Sequence, residues 1–366
     1  MGAKALVAAA LIHFAFAPGG SPDVVAGWSL YNRVFPGRLR LPYGDDPARS
    51  YNVSVTNLNA LFRSHVLDGS APADDELRVV LLGDSSVWGF RLGADETLAA
   101  HLNRLNLRSR GKRLAFHNLG YPTMSLLKDL VILDRAQTYQ PDLVVWLVTL
   151  ESFPLGRQAE SALVSFNRVE TTSLLARSGL ASDRYFPPAP NEAWWSGGLI
   201  NRRRDFAELF RLQVYGLMWA ASGVDHDTAA SLTPRAEDLE ADDTFQGYAP
   251  GEMVPEDLAW EILGTGLEAA PVPVLLVNEP MFISGGANSD VRYNFFYPRW
   301  AYDDYRTWLA DRCRATGWLC VDVWDSLPGT SFTDSAVHYN AAGAEKLASI
   351  LAEPIQSAAA SLEPPP

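Results

Sequence analysis

One stretch limits the architecture more than any other: Arg78-Val-Val-Leu-Leu-Gly-Asp-Ser-Ser-Val-Trp-Gly89. Val79 to Gly83 is an apolar run that stops at a glycine, which reads as a buried strand entering a tight turn. Leu98, His101, Leu102 and Leu105 then recur at helical spacing, so a helix is predicted over 97–108. Strand, small-residue turn and helix is a building unit of open α/β sheets, whose chemistry lies outside the carboxyl ends of the strands. Ser85 stands at such a point. It is a nucleophile if a base reaches it, and otherwise a cap on the helix that follows.

A base is offered near the other end of the chain, in Phe332-Thr-Asp-Ser-Ala-Val-His338-Tyr-Asn-Ala-Ala-Gly343. An acid and a histidine share one loop before an Asn-x-x-Gly entry into a helix. A Ser…Asp…His order needs no short spacing between serine and histidine, because folding brings them together. Ser85 is therefore the candidate nucleophile, His338 the general base and Asp334 the carboxylate that orients His338. Ser86 reads as a helix-start residue and His117 as a structural or pocket-wall residue.

These blocks resemble the SGNH (GDSL-type) hydrolase superfamily. Gly83-Asp84-Ser85 with Gly89 matches its first block, Asn118-Leu119-Gly120 its second, and the Asp…His338 loop with Asn340 and Gly343 its last. The resemblance covers roughly half the chain and implies a three-layer α/β/α sandwich on a five-stranded parallel sheet. It also implies a serine esterase working through an acyl-enzyme, with an oxyanion hole built from the Ser85 and Gly120 N–H groups. Two features depart from the family. The acid ordinarily lies three residues before the histidine, where this chain has Ser335, and Asp334 lies four before. The family's third block supplies an Asn amide, and here Val148-Thr149-Leu150-Glu151-Ser152 stands in its place, leaving Thr149 or Ser152 as a candidate hydroxyl donor. Asp84, Asn118, Glu151 and Asn278 are the candidate substrate contacts, with a strand-end cap as the competing role of Asn278.

The rest of the chain supports an α/β core. Leu114 to Gly120 is a second strand, 125–139 a helix, and Leu143 to Thr149 an apolar, β-branched run of the kind buried on both faces in parallel sheets. Val272 to Val277 and Trp318 to Val323 read as the fourth and fifth strands, 298–314 and 341–360 as helices. Between 151 and 270 the pattern breaks. The boundaries expected are 1–20 a signal-like or membrane-anchor segment, 21–75 an N-terminal extension, 76–153 the first part of the core, 154–270 a helical cap insertion, 271–360 the second part of the core, and 361–366 a tail. The helix read at 206–224, behind three arginines, is a buried cap helix by default, with docking on a membrane surface as the alternative. Trp194, Trp195, Tyr293, Phe296, Tyr297 and Trp300 form either a sugar-stacking platform or core, and density of this kind favours core.

Lys4 precedes a nearly unbroken apolar run from Ala5 to Ala17, followed by Pro18-Gly-Gly. That resembles an export signal, with an uncleaved anchor and an ordinary buried helix as alternatives. The export reading sets the expected location outside the cytoplasm, in a bacterial envelope or secreted, with membrane association through the N-terminus. A net charge of −13 argues against a nucleic-acid partner. Two cysteines, Cys313 and Cys320, make no disulfide scaffold and read as buried thiols in preference to a pair. Gly264-Thr-Gly266-Leu-Glu-Ala269 matches a dinucleotide fingerprint by letter, but it follows a helix and precedes a strand, the reverse of the required context. No phosphate-loop, His-Glu-x-x-His or Cys-x-x-Cys motif occurs, so no metal or other cofactor is expected. The expected substrate is an O-acyl ester of a carbohydrate or lipid. An O-acyltransferase on the same serine, and a weakly catalytic carbohydrate-binding protein on the same fold, are the alternatives. The oligomeric state is not legible.

Overall fold

A computed structural model describes residues 7, 30–35, 56–69, 71, 73–186, 214–218, 220–223 and 234–362. The signal-like segment apart from Val7, the Trp194–Trp195 turn, most of the 206–224 helix and the 363–366 tail lie outside the described residues.

The sheet has six strands: β1 Glu76–Leu82, β2 Arg108–Ser109, β3 Lys112–Asn118, β4 Leu143–Val148, β5 Val274–Asn278 and β6 Leu319–Asp322. Their order is β2-β3-β1-β4-β5-β6. All pairings are parallel except β2 with β3. The expected five parallel strands are present, and β2 is an addition to them. It forms because Arg110 and Gly111 both adopt positive φ, 55° and 81°, which is what a tight hairpin turn between twisted strands requires.

Side-chain alternation explains why the central strands read as continuously apolar. In β1, Leu77, Val79 and Leu81 enter one core cluster, Val80 and Leu82 the other. In β4, Val144, Trp146 and Val148 face one side, Leu143, Val145 and Leu147 the other. Helices cover both faces, giving three layers. The named helices are α1 Leu58–Arg63, α2 Ser85–Trp88, α3 Leu98–Arg104, α4 Leu126–Ala136, α5 Ala162–Phe166, α6 Arg168–Arg177, α7 Trp260–Glu268, α8 Arg299–Thr316 and α9 Ala341–Ala360. Thr97 caps α3, Ser125 caps α4 and Asn340 caps α9, each accepting a backbone N–H from the first turn.

Two sequence expectations change. Helix α7 falls within the expected insertion, yet Trp260, Ile262 and Leu263 lie in the core and a Cβ on Gly266 would meet the Trp146 ring at 2.4 Å. It is a covering helix of the sheet between β4 and β5. Cys313 and Cys320 form a disulfide, with Cα atoms 6.2 Å apart. Cys313 lies in the last turn of α8 and Cys320 in β6, and Gly317, in left-handed backbone, reverses the chain between them. The tight reversal brings the two Cα atoms within bridging distance.

Candidate active site

The chain leaves β1 for β3 on one side and later reaches β4 on the other, so the strand order reverses between β1 and β4. That is where open α/β sheets form a crevice outside their carboxyl ends. Ser85 follows β1 there, at the start of α2. Asp84 caps this short helix, its carboxylate taking the Ser86 N–H at 2.7 Å. The Ser85 N–H has no protein partner among the described residues. Gly89 closes α2 in left-handed backbone, φ 86°.

His338 reaches Ser85 from a loop 253 residues away. Its Nε2 lies 2.8 Å from Ser85 Oγ, and its Nδ1 lies 2.9 Å from Asp334 Oδ1. The four-residue interval is accommodated by a closed loop. Phe332 and Tyr339 pair as an antiparallel bridge, and the Thr333 N–H donates to the His338 carbonyl at 2.9 Å. Asp334 and His338 are thus drawn together within one narrow hairpin. Burial alone would raise the Asp334 carboxyl. The hydrogen bond and charge of His338 outweigh it, with help from the residue's own backbone N–H and the Thr333 hydroxyl, and hold it below the ordinary carboxylate value.

Several side chains that the sequence did not single out fix this pair. The Phe90 ring lies against the His338 ring, centroids 4.5 Å apart. Arg91, whose φ is 64°, brings its Nε to 4.0 Å from Asp334 Oδ2. Arg235 spans the loop, donating to the Phe332 carbonyl at 2.7 Å and the Gly329 carbonyl at 2.6 Å, over the Phe282 ring. Glu279, just after β5, accepts from Ser86 Oγ at 2.5 Å and from Tyr339 Oη at 3.1 Å. Burial first, and then the Asp84 charge, push Glu279 well above the ordinary carboxyl value. The signal available in sequence was an acid placed at the carboxyl end of an apolar strand.

The other expected site residues are placed differently. Gly120 sits so close to α2 that a Cβ would meet Trp88 N at 2.2 Å, and its N–H donates to Asn118 Oδ1 at 2.9 Å. Asn118 also donates to the Trp88 carbonyl, so its amide braces the two loops. The Thr149 hydroxyl is 3.0 Å from Tyr297 Oη. Glu151 is ion-paired to Arg157 and accepts from Gln246 at 2.8 Å. These two partners also line a cleft of about 190 Å³ with Phe245, Tyr248 and Met253. Asn278 takes the structural one of its two expected roles. Period-two alternation puts it on the face of Val274 and Leu276, where its amide meets Asp322, Tyr302 and Tyr305 and is 1% exposed. Tyr293 and Tyr297 are likewise buried core, and Phe296 and Trp300 pack against it.

Under the same turn lies a buried cation. Lys128 donates to the Gly83 carbonyl at 2.8 Å and the Tyr121 carbonyl at 3.4 Å, so it spans the Ser85 and Gly120 loops. Its Nζ is 2.5 Å from Asp129 Oδ1, an ion-pair contact lying off hydrogen-bond geometry.

No family model matches the chain, and no curated protein matches it. Solved structures give distant likenesses. A putative lipolytic protein of the G-D-S-L family from Desulfitobacterium hafniense DCB-2 is 11% identical, with 77% of this chain and 98% of that chain covered and a TM-score of 0.31. A carbohydrate acetylesterase family member from Sinorhizobium meliloti is 11% identical, covering 77% and 99%, TM-score 0.35. A family two carbohydrate esterase from Clostridium thermocellum, in complex with cellohexaose, is 12% identical, covering 79% and 66%, TM-score 0.33. Likeness this distant bears on neither the activity nor the substrate of this chain.

Proposed function

We propose that the chain is a serine hydrolase that cleaves carboxylic esters through an acyl-enzyme. The observation that supports this is the relay Ser85 Oγ–His338 Nε2–His338 Nδ1–Asp334, with contacts of 2.8 Å and 2.9 Å. A serine hydroxyl becomes a useful nucleophile only when a positioned base takes its proton. In this reading Ser85 Oγ attacks the ester carbonyl carbon while its proton passes to Nε2. The Ser85 N–H meets the developing oxyanion. His338 then gives the proton to the departing alcohol, and a water repeats the sequence to free Ser85. Asp334 holds the imidazole in the tautomer that presents a bare Nε2. The Gly120 N–H becomes a second oxyanion donor when the Asn118 amide turns away from it.

The substrate class proposed, an O-acyl group on a carbohydrate or lipid, follows from the superfamily resemblance and the export-like N-terminus. A location outside the cytoplasm has further support in the Cys313–Cys320 disulfide, a bond that persists in oxidising compartments. The 154–259 stretch is proposed as the cap, since Arg235 within it grips the loop carrying His338.

The test is hydrolysis of a p-nitrophenyl ester series by the protein and by Ser85→Ala and His338→Ala, together with labelling by a fluorophosphonate probe. Loss of both activities in either variant supports the reading. Ester hydrolysis that survives Ser85→Ala in folded protein sinks it. A weakly catalytic binding protein is the second reading, favoured by the engagement of the Gly120 N–H and the Thr149 hydroxyl within the protein. Absence of labelling would select it.

A further inference from the structure

Behind the Ser85–His338 contact lies a pair of acids that the proposed chemistry does not use. Glu279 is 1% exposed and Asp84 is 4% exposed. Two hydroxyl donors converge on a single Glu279 oxygen, those of Ser86 and Tyr339. Ser86 is the residue after the nucleophile, and Tyr339 is the residue after the base. Glu279 therefore touches the immediate neighbours of both. Asp84 uses one oxygen to accept the Ser86 N–H. Its other oxygen is buried, and no N–H or O–H donor among the described residues reaches it. The Glu279 carboxyl lies within range of the Asp84 charge, which disfavours ionisation of Glu279. Two ionised carboxylates there would repel each other and face lone pair to lone pair. One proton removes both problems, and the side of Glu279 that carries no donor contact is where it fits.

We infer that Glu279 is a protonated positioning residue, whose acid O–H donates to Asp84 Oδ2 while its other oxygen, held by Ser86 and Tyr339, locks the turn of Ser85 to the loop of His338. The kinetic consequence rests on the reading of Ser85 and His338 as nucleophile and base; the proton itself does not. The surroundings disfavour a charge on Glu279. Asp84 bears on it from the cap of α2 and Tyr339 from the His338 loop, with Tyr297, Tyr302 and Tyr305 of the aromatic layer within range of its charge. Asp129 adds its carboxyl on the Asp84 side. The Lys128 ammonium is tied to Asp129 and to the Gly83 and Tyr121 carbonyls. An amide reproduces the same pattern, since its N–H₂ donates to Asp84 and its oxygen accepts from Ser86 and Tyr339. Leucine does not.

Carboxyl ¹³C NMR of glutamate-labelled protein reads the proton directly, with Glu279→Gln as the assignment control. One glutamate that stays protonated through the range in which the surface glutamates ionise, and that is missing in Glu279→Gln, is expected. A Glu279 signal that titrates with the surface glutamates overturns the inference. The fluorophosphonate labelling rate at Ser85 reads the positioning. Glu279→Leu is expected to slow it about 10²-fold, the scale set by small misplacements of reacting groups. Glu279→Gln is expected to rescue most of that loss and to lack the alkaline fall that follows loss of the Glu279 proton. Equal slowing in both variants, or the same alkaline fall in Glu279→Gln, overturns it. If Glu279→Leu does not fold, the pH profile of Glu279→Gln decides. Failure of the wild type to label defeats the hydrolase reading instead, and the NMR titration then decides this inference alone.

Discussion

Phe90 lies against His338 with ring centroids 4.5 Å apart and planes inclined by 33°. The contact closes one side of the imidazole while Ser85 and Asp334 take its two nitrogens. The turn that carries Phe90 is held by positive φ at Gly89 and Arg91. For Arg91 this is a less common conformation, sustained by the contacts around it. Removal of the ring in Phe90→Ala leaves the imidazole free to tilt. The expected result is a fall in kcat of about 10-fold to 10²-fold with a smaller change in KM, and Phe90→Leu should restore part of it. An unchanged kcat would mean that the two hydrogen bonds alone hold the base.

Asp334 carries a pH signature that can be read without a substrate. Its carboxyl is held below the ordinary value in the folded protein. Its contribution to stability is therefore fully present above the unfolded pKa of about 3.9 and is lost as pH falls through the lower folded value. The difference in stability between wild type and Asp334→Asn should shrink as pH drops below about 4. Denaturant midpoints measured along a pH series check this. The same variant should lose about 10⁴-fold in kcat, because an amide facing Nδ1 favours the wrong imidazole tautomer.

The disulfide ties the end of α8 to β6, the edge strand beyond β5. A separation of 7 residues makes a small loop. The chain-entropy estimate for a loop of this size is about 2–3 kcal/mol. The double variant Cys313→Ser, Cys320→Ser should unfold at correspondingly lower denaturant while labelling at Ser85 persists, since Glu279 and His338 are held by other contacts. A loss of labelling equal to that of His338→Ala would place the edge strand in closer control of the site than its contacts indicate.

What could be read in the sequence had local causes. β1, β4 and β5 were legible because both of their faces are buried, which leaves an unbroken apolar run. Ser85 and His338 were legible because each stands at a junction that sequence marks, a strand stopping at Gly-Asp and a loop entering an Asn-capped helix. β2 was not, since two residues held by a positive-φ turn carry no apolar pattern. Glu279 was not, because its partners Ser86 and Tyr339 lie 193 and 60 residues away. The two roles open to Asn278 could not be separated in the sequence because its place at the end of a strand gave no face. The alternation along β5 assigns it to the buried aromatic layer. The shifted spacing of Asp334 was legible only as a departure, and the Phe332–Tyr339 bridge supplies the reason it still reaches His338.

The strongest test of the core beneath the site is the Lys128–Asp129 pair. Burial pushes the Asp129 carboxyl up to about 6, against the pull of Lys128 and of the Trp146 indole N–H. A folded pKa above the unfolded one means that Asp129 favours the fold below about pH 4, and this support is lost as pH rises through about 6. Asp129→Asn should flatten that part of the stability profile, and denaturant midpoints between about pH 4 and about pH 7 measure it. Lys128→Met acts differently. It leaves Asp129 buried without its cation, and breaking a buried pair from one side costs about 3–5 kcal/mol. It also releases the Gly83 and Tyr121 carbonyls, which join the Ser85 turn to the Gly120 loop. Lys128→Met should therefore lower both the unfolding midpoint and the labelling rate at Ser85, whereas Asp129→Asn should change the midpoint with much less effect on labelling. Equal effects of the two variants on labelling would show that the ammonium serves only its partner acid and does not hold the two loops together.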